Sequence, residues 1–147
     1  MTDFYFNHDP ANLPDYSEDC HPVQLFHTHL HDPNRHSLAS KQLLQTVRGL
    51  GINIDEKAID LITIATAVTA ADTFEQRERA ENAWARQMHL HVPVTEESMW
   101  SSVEPELSSL LNFLTGDQWK FTFKKTTMPM PQPKSSVQAK AKAKSLI

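Results

Sequence analysis

Residues 58–71 read AIDLITIATAVTAA. Asp60 is the only charge in that run. Wound at 3.6 residues per turn, Ile59, Leu61, Ile62, Ile64 and Val68 point in all directions. A helix apolar around most of its circumference belongs in the middle of a fold. Asp55 is a suitable N-cap, and Glu56 falls in the first turn, where the helix dipole favours an acid. Beyond Phe74 the composition turns to Glu and Arg, which marks a solvated helical end or a second short helix.

Downstream, residues 86–94 (RQMHLHVPV) alternate. Met88, Leu90 and Val92 share one side, and Gln87, His89 and His91 the other. This is the pattern of a half-buried strand, with Pro93 closing it. Trp100 follows in a polar turn. Pro105 suits the first turn of a helix reaching about Leu114. Leu107, Leu110, Leu111 and Leu114 are spaced along it as one apolar face, and Gly116 stops it. Residues 118–125 (QWKFTFKK) set Trp119, Phe121 and Phe123 against Lys120, Thr122 and Lys124, an amphipathic strand.

Upstream, residues 2–6 (TDFYF) read as an opening strand before a Pro/Asn/Asp/Ser loop over 10–22. Residues 23–30 (VQLFHTHL) alternate as a second strand, with His27 and His29 on one face. A short helix over about 39–49 follows, capped by Ser37 or Ser40 and ended by Gly49. About four short, mostly antiparallel strands and two or three helices then form an α+β two-layer domain over residues 1–125.

Residues 126–147 differ in kind. TTMPMPQPKSSVQ is an extended Pro-rich linker, and the alternating AKAKAKSLI after it reads as a surface strand, a helix or a disordered tail. All 18 acids and eight of the 14 bases lie in residues 1–123, whereas 124–147 carries six lysines and no acid. An acidic body and a basic tail therefore underlie the net charge of −4. The tail reads as a solvated linker, with contact to nucleic acid or an acidic surface as the sharper alternative. No apolar run is long enough for a membrane helix, and the acidic start is unlike a signal peptide, so a cytoplasmic protein is expected.

Composition excludes whole classes of chemistry. Three glycines, Gly49, Gly51 and Gly116, cannot build a phosphate-cradling loop. A lone Cys20 removes disulfides and thiolate zinc cages. Beside His21 in a Pro/Asp-rich loop, it reads as a plain exposed cysteine rather than an activated nucleophile. No serine has the flanking glycines of a nucleophile elbow.

Two groups of residues remain. His27, His29 and His31 recur at alternate positions, about 6.5–7 Å apart if extended. With His89 or His91 they make a candidate zinc set, set against the plainer reading of polar-face histidines. Asp60, carried on a buried helix, needs a partner. Arg86 is a natural one, as is a helix-terminal N–H group, and Asp72 can join, so Asp60, Asp72 and Arg86 are read as a structural charge network. Trp84, Trp100 and Trp119 read as core, with Trp100, if exposed, as an interface anchor.

One ordered set of motifs is more specific. Asp60-Leu61-Ile62-x-Ile64-Ala65-x-Ala67-Val68-x-Ala70-Ala71-Asp72 is followed by Trp84-x-Arg86-x-Met88-x-Leu90-x-Val92-Pro93-Val94 and Trp100. Leu111-x-Phe113-Leu114-Thr115-Gly116-Asp117-x-Trp119-x-Phe121-x-Phe123 comes last. Over about residues 55–125 this set resembles a region of 7-cyano-7-deazaguanine synthase-like (QueC-like) proteins of bacterial anti-phage defence islands. The region is the one N-terminal to their ATP-dependent domain, and FLTGDQWKFTF is its most specific phrase. In such proteins a Pro-rich stretch and a strand lead into a serine-glycine-glycine-x-aspartate-serine loop. Lys144-Ser145-Leu146-Ile147 is similar to the start of that strand. Neither the ATP-binding loop nor the zinc-holding cysteines of true deazaguanine synthases lie in this sequence, so no catalytic residue carries over. The resemblance implies a non-catalytic module without its own cofactor, either part of a longer protein or half of a split gene. Its partner would be a QueC-like ATP-dependent domain in cis or in trans, with other defence proteins or nucleic acid as further contacts. The competing expectation is a small metal-binding protein or metallohydrolase built on the histidines, and a third is an interaction adaptor using Trp100 and the lysine tail.

Overall fold

The computed structural model describes residues 1–26, 29–40, 42–51, 53–80, 82 and 84–127. In chain order the elements are β1 (Thr2–Asn7), β2 (Cys20–Leu25), β3 (Ser37–Ala39), α1 (Leu43–Gly49), α2 (Glu56–Phe74), β4 (Gln87–Val94), α3 (Glu97–Ser102), α4 (Glu104–Thr115) and β5 (Gln118–Lys125). The linker expected over 126–147 lies, from residue 128 onward, outside the described residues.

The strands form one five-stranded sheet in the order β3-β2-β1-β4-β5. Every pairing is parallel. This corrects the expectation of about four, mostly antiparallel, strands. The reason is physical. Parallel sheets are normally covered on both faces and read as continuous apolar runs, whereas one-sided alternation is the mark of antiparallel sheets. Here the strands alternate although they are parallel, because the helices cover only one face.

That covered face carries Phe4, Phe6, Val23, Leu25, Met88, Leu90, Val92, Trp119, Phe121 and Phe123. Ile64, Ala67, Ala70 and Ala71 of α2 pack on it, with Leu43 and Leu44 of α1, Trp100 of α3, and Leu107 and Leu111 of α4. Alanines on the inner side of α2 let the helix approach the sheet closely. Its N-terminus is capped as expected, the Asp55 carboxylate accepting from the Ala58 N–H at 2.8 Å. Gly116 ends α4 in the left-handed region, at φ 75°.

Two departures follow from local backbone geometry. β2 ends at Leu25 rather than near 30, because Phe26 takes a φ of 53° and turns the chain. Its ring is nonetheless in the core, 1% exposed. Among the described residues, 29–36 form a connection rather than a strand. Ser37–Ala39, expected at the entry to a helix, instead pair with β2 as the edge strand β3.

The opposite edge, β5, is closed by side chains. The Trp119 N–H donates to Asn112 Oδ1 at 2.7 Å, and the Phe121 N–H to Glu104 Oε1 at 3.0 Å. The Lys125 N–H donates to Glu97 Oε2 at 3.0 Å. Helices α3 and α4 thus occupy three of the amides that another strand would use.

Candidate functional site

The second face of the sheet is polar. Register alignment puts Asp3 and Tyr5 of β1 beside His89 and His91 of β4. Lys120 and Thr122 of β5 lie on one flank. Cys20 and Pro22 of β2 lie on the other. Period-two alternation places all of these on the side away from the helices.

Asp3, His89 and His91 converge there. Asp3 Oδ1 lies 2.9 Å from His89 Nδ1 and 2.8 Å from His91 Nε2. The other ring nitrogen of His89, Nε2, lies 2.8 Å from the Thr122 hydroxyl. The Tyr5 ring stacks on His91 at a centroid distance of 4.1 Å and an interplanar angle of 2°. Burial lowers the His89 pKa, and neighbouring His91 adds to this against the pull of Asp3. His89 therefore favours the neutral imidazole, the form that binds metal. Cys20 faces Asp3 from the β2 side, and burial, then Asp3, raise its thiol pKa. It is a poor thiolate.

The histidines singled out from sequence behave differently. His27 lies outside the described residues. His29 and His31 belong to the connection after β2, not to a strand, so the alternation that would have aligned them is lost. Gln24, fully buried, organises this connection instead. Its amide nitrogen donates to the His29 carbonyl at 3.0 Å. Its Oε1 lies 3.2 Å from His31 Nδ1 and 3.0 Å from His36 Nε2. Among the described residues, the only His, Cys, Asp and Glu group close enough to share an ion is Asp3, His89 and His91. Two of its members lay in the His-x-His pair of residues 89–91. The third, Asp3, becomes legible only once β1 is known to pair with β4.

The charge network is split in two. Asp72 and Arg86 do meet, through an ion pair between Arg86 Nη2 and Asp72 Oδ1. Asp117, not among the residues read as a network, is the main partner. It accepts from the Arg86 N–H at 3.0 Å and from Arg86 Nε at 3.1 Å, and Arg77 adds an ion pair at 3.1 Å. Asp60 stands apart. Twelve residues of helix separate it from Asp72 by about 18 Å of axial rise, which puts the two at opposite ends of α2. Asp60 accepts instead from the Thr95 N–H (2.8 Å), the Thr95 hydroxyl (3.0 Å), the Glu96 N–H (3.0 Å) and Trp100 Nε1 (3.0 Å). Trp100 is accordingly half-buried, with its ring against Phe123. The outward-facing tryptophan is Trp84, 79% exposed.

The strand order brings the C-terminal ends of β1 and β4 together where the chain's path reverses, the position at which open parallel sheets commonly bind nucleotides. In this chain the turn after β1 is Asn7-His8-Asp9-Pro10. Its amides are engaged locally: the Asp9 N–H donates to Asn7 Oδ1 and the Ala11 N–H to Asp9 Oδ1.

A separate apolar surface lies on the outer side of α4. Leu110, Phe113 and Leu114, at i, i+3 and i+4, are 54%, 86% and 65% exposed. Leu110 and Phe113 line a shallow depression with Pro105, Glu106 and Ser109.

No protein-family model, curated protein or solved structure matches the chain. No helix among the described residues is long and apolar enough to cross a membrane.

Proposed function

We propose that the chain is a non-catalytic accessory domain of a QueC-like, 7-deazaguanine synthase-like anti-phage defence protein. It docks on the ATP-dependent catalytic domain, in cis or in trans, and positions a target for it in the cytoplasm. The observation that carries this reading is the exposed side of α4. Within the phrase that bears the resemblance, Trp119, Phe121 and Phe123 face the core and Asp117 is buried against Arg86. Phe113 and Leu114 belong to the same phrase yet face solvent. An apolar pair with no packing role in its own domain fits a surface completed by a partner.

The catalytic domain is the occupant that the resemblance implies. The Glu97 carboxylate holds the Lys125 amide at the end of β5, and Glu104 holds Phe121. The described chain therefore leaves β5 beside α3 and the first turn of α4, the helix whose outer side is the proposed docking surface. Burying Phe113 and Leu110 there would contribute about 1.5–3 kcal/mol each before ordering costs.

The test mixes the purified chain with a separately expressed QueC-like ATP-dependent domain. The two co-elute in size-exclusion chromatography, and ATP turnover appears only where that domain is present. Turnover of ATP by this chain alone would overturn the reading.

A further inference from the structure

We propose that Asp3, His89 and His91 form a binding site for a divalent transition-metal ion of the zinc class, on the sheet face opposite the helices. The donor set is two imidazoles and one carboxylate, which suits first-row divalent ions and leaves a coordination position for solvent or a ligand. All three ligand atoms lie within 4.8 Å of one another. A tetrahedral ion with bonds of about 2.0–2.2 Å requires donors about 3.3 Å apart. The two contacts to Asp3, at 2.9 and 2.8 Å, need to open by about half an ångström. Small side-chain rotations supply that.

The site is built on rigid parts. Its ligands come from β1 and β4, which pair directly, with Asp3 in register with His89. The His-x-His spacing puts both rings on one face, with centroids 4.1 Å apart. A ligating histidine is held best when its second nitrogen donates to a fixed acceptor. His89 meets this requirement, with its Nε2 against the Thr122 hydroxyl on the next strand and its Nδ1 turned to the site. His91 is fixed by the Tyr5 ring. Its Nδ1 is buried without a hydrogen-bond partner among the described residues, so the ring's engaged nitrogen is the Nε2 facing Asp3. The single carboxylate offsets one of a divalent ion's two charges, which favours an anionic fourth ligand.

The test uses the full chain without an affinity tag, stripped with chelator and titrated with zinc chloride by calorimetry. Cobalt substitution provides an optical readout. The expected result is about one equivalent bound, a raised melting temperature, and a tetrahedral cobalt spectrum. Asp3→Asn with His91→Gln should weaken zinc binding by about 100-fold, and Thr122→Val by about 10-fold. His31→Gln with His36→Gln should leave it unchanged. Should the ligand variants fail to fold, imidazole resonances of the unaltered chain, followed by NMR during titration, decide the matter: His89 and His91 shift together at one equivalent. Less than about a tenth of an equivalent bound, or binding that survives loss of Asp3 and His91 but not of His31 and His36, would overturn the proposal.

Discussion

Arg86 and Asp117 stand one residue before the starts of two neighbouring parallel strands, β4 and β5, and bind each other through both backbone and side chain. Asp117 accepts from the Arg86 N–H and from its guanidinium, and the Gln118 N–H donates to the Arg86 carbonyl at 2.8 Å. The clamp fixes the register of the strands at their shared end. Both side chains are nearly inaccessible, 4% exposed for Arg86 and 0% for Asp117. Arg86→Met should therefore destabilise the fold by about 3–5 kcal/mol, because it strands a buried carboxylate. Arg77, whose side chain is 47% exposed, should cost about 1 kcal/mol or less on replacement by alanine. Urea denaturation of the two variants checks the contrast.

The same clamp sets an acid limit. Burial works to raise the Asp117 pKa, but the hydrogen bonds and charge of Arg86, with Arg77, outweigh it and hold the carboxyl below its ordinary value. A depressed native pKa means that the unfolded chain takes up the proton first. The contribution is fully present above an unfolded value of about 3.9 and is lost as pH falls through the native value. Replacing Asp117 with Asn should lower stability at neutral pH and flatten the decline below about pH 4 in thermal melts.

Two histidines outside the Asp3 cluster act, like His89, in a higher window. Burial lowers the His8 pKa, with His29 adding to it against Asp9. Burial and then His31 lower that of His36, with Asp32 opposing. Both shifts favour the neutral imidazole in the native state, so the unfolded chain protonates first, near about pH 6.5. Their contribution is present above that value and is lost as pH falls below it. The melting temperature should drop between about pH 7.5 and about pH 5.5, and His8→Gln with His36→Gln should reduce the drop.

Asp60 ties α2 to the turn after β4 through four donors. Asp60→Ala leaves those donors without their acceptor and should cost about 3 kcal/mol or more. Asp60→Asn keeps the shape but turns an amide nitrogen toward donors, and should cost about 1.5–3 kcal/mol. Chemical denaturation measures both.

The side-chain cover on β5 predicts an association phenotype. Glu97→Ala, Glu104→Ala and Asn112→Ala together free three amides on an edge strand. Unprotected edges recruit further strands. Light scattering coupled to size exclusion should show concentration-dependent oligomers for the triple variant beyond those of the unaltered chain.

The sequence made local structure legible and left topology hidden. The strands around Met88–Val92 and Trp119–Phe123 and the helix from Glu56 were readable because apolar periodicity is a local property. Strand direction was not, because alternation records how many faces are covered, and here a parallel sheet has one. The site suffered for related reasons. Asp117 sits beside a glycine stop and looks like a turn residue until β4 and β5 are paired. Asp60 and Asp72 look like one network until the rise of α2 is counted. Asp3 joins His89 and His91 only across a pairing between residues some 85 positions apart in sequence. Phe26, buried at a positive φ, ended a strand that composition alone continued into the histidines.

The central claim is that the outer face of α4 is a docking surface for a QueC-like ATP-dependent domain. Calorimetric titration of that domain with the unaltered chain and with Leu110→Ser plus Phe113→Asp tests it most directly. Both residues are solvent-exposed, so the variant should keep the fold's circular dichroism and melting temperature. The account predicts saturable binding by the unaltered chain and at least about 30-fold weaker binding by the variant, the loss expected of a central apolar anchor. Equal affinity of the two, or no binding by either, would contradict it.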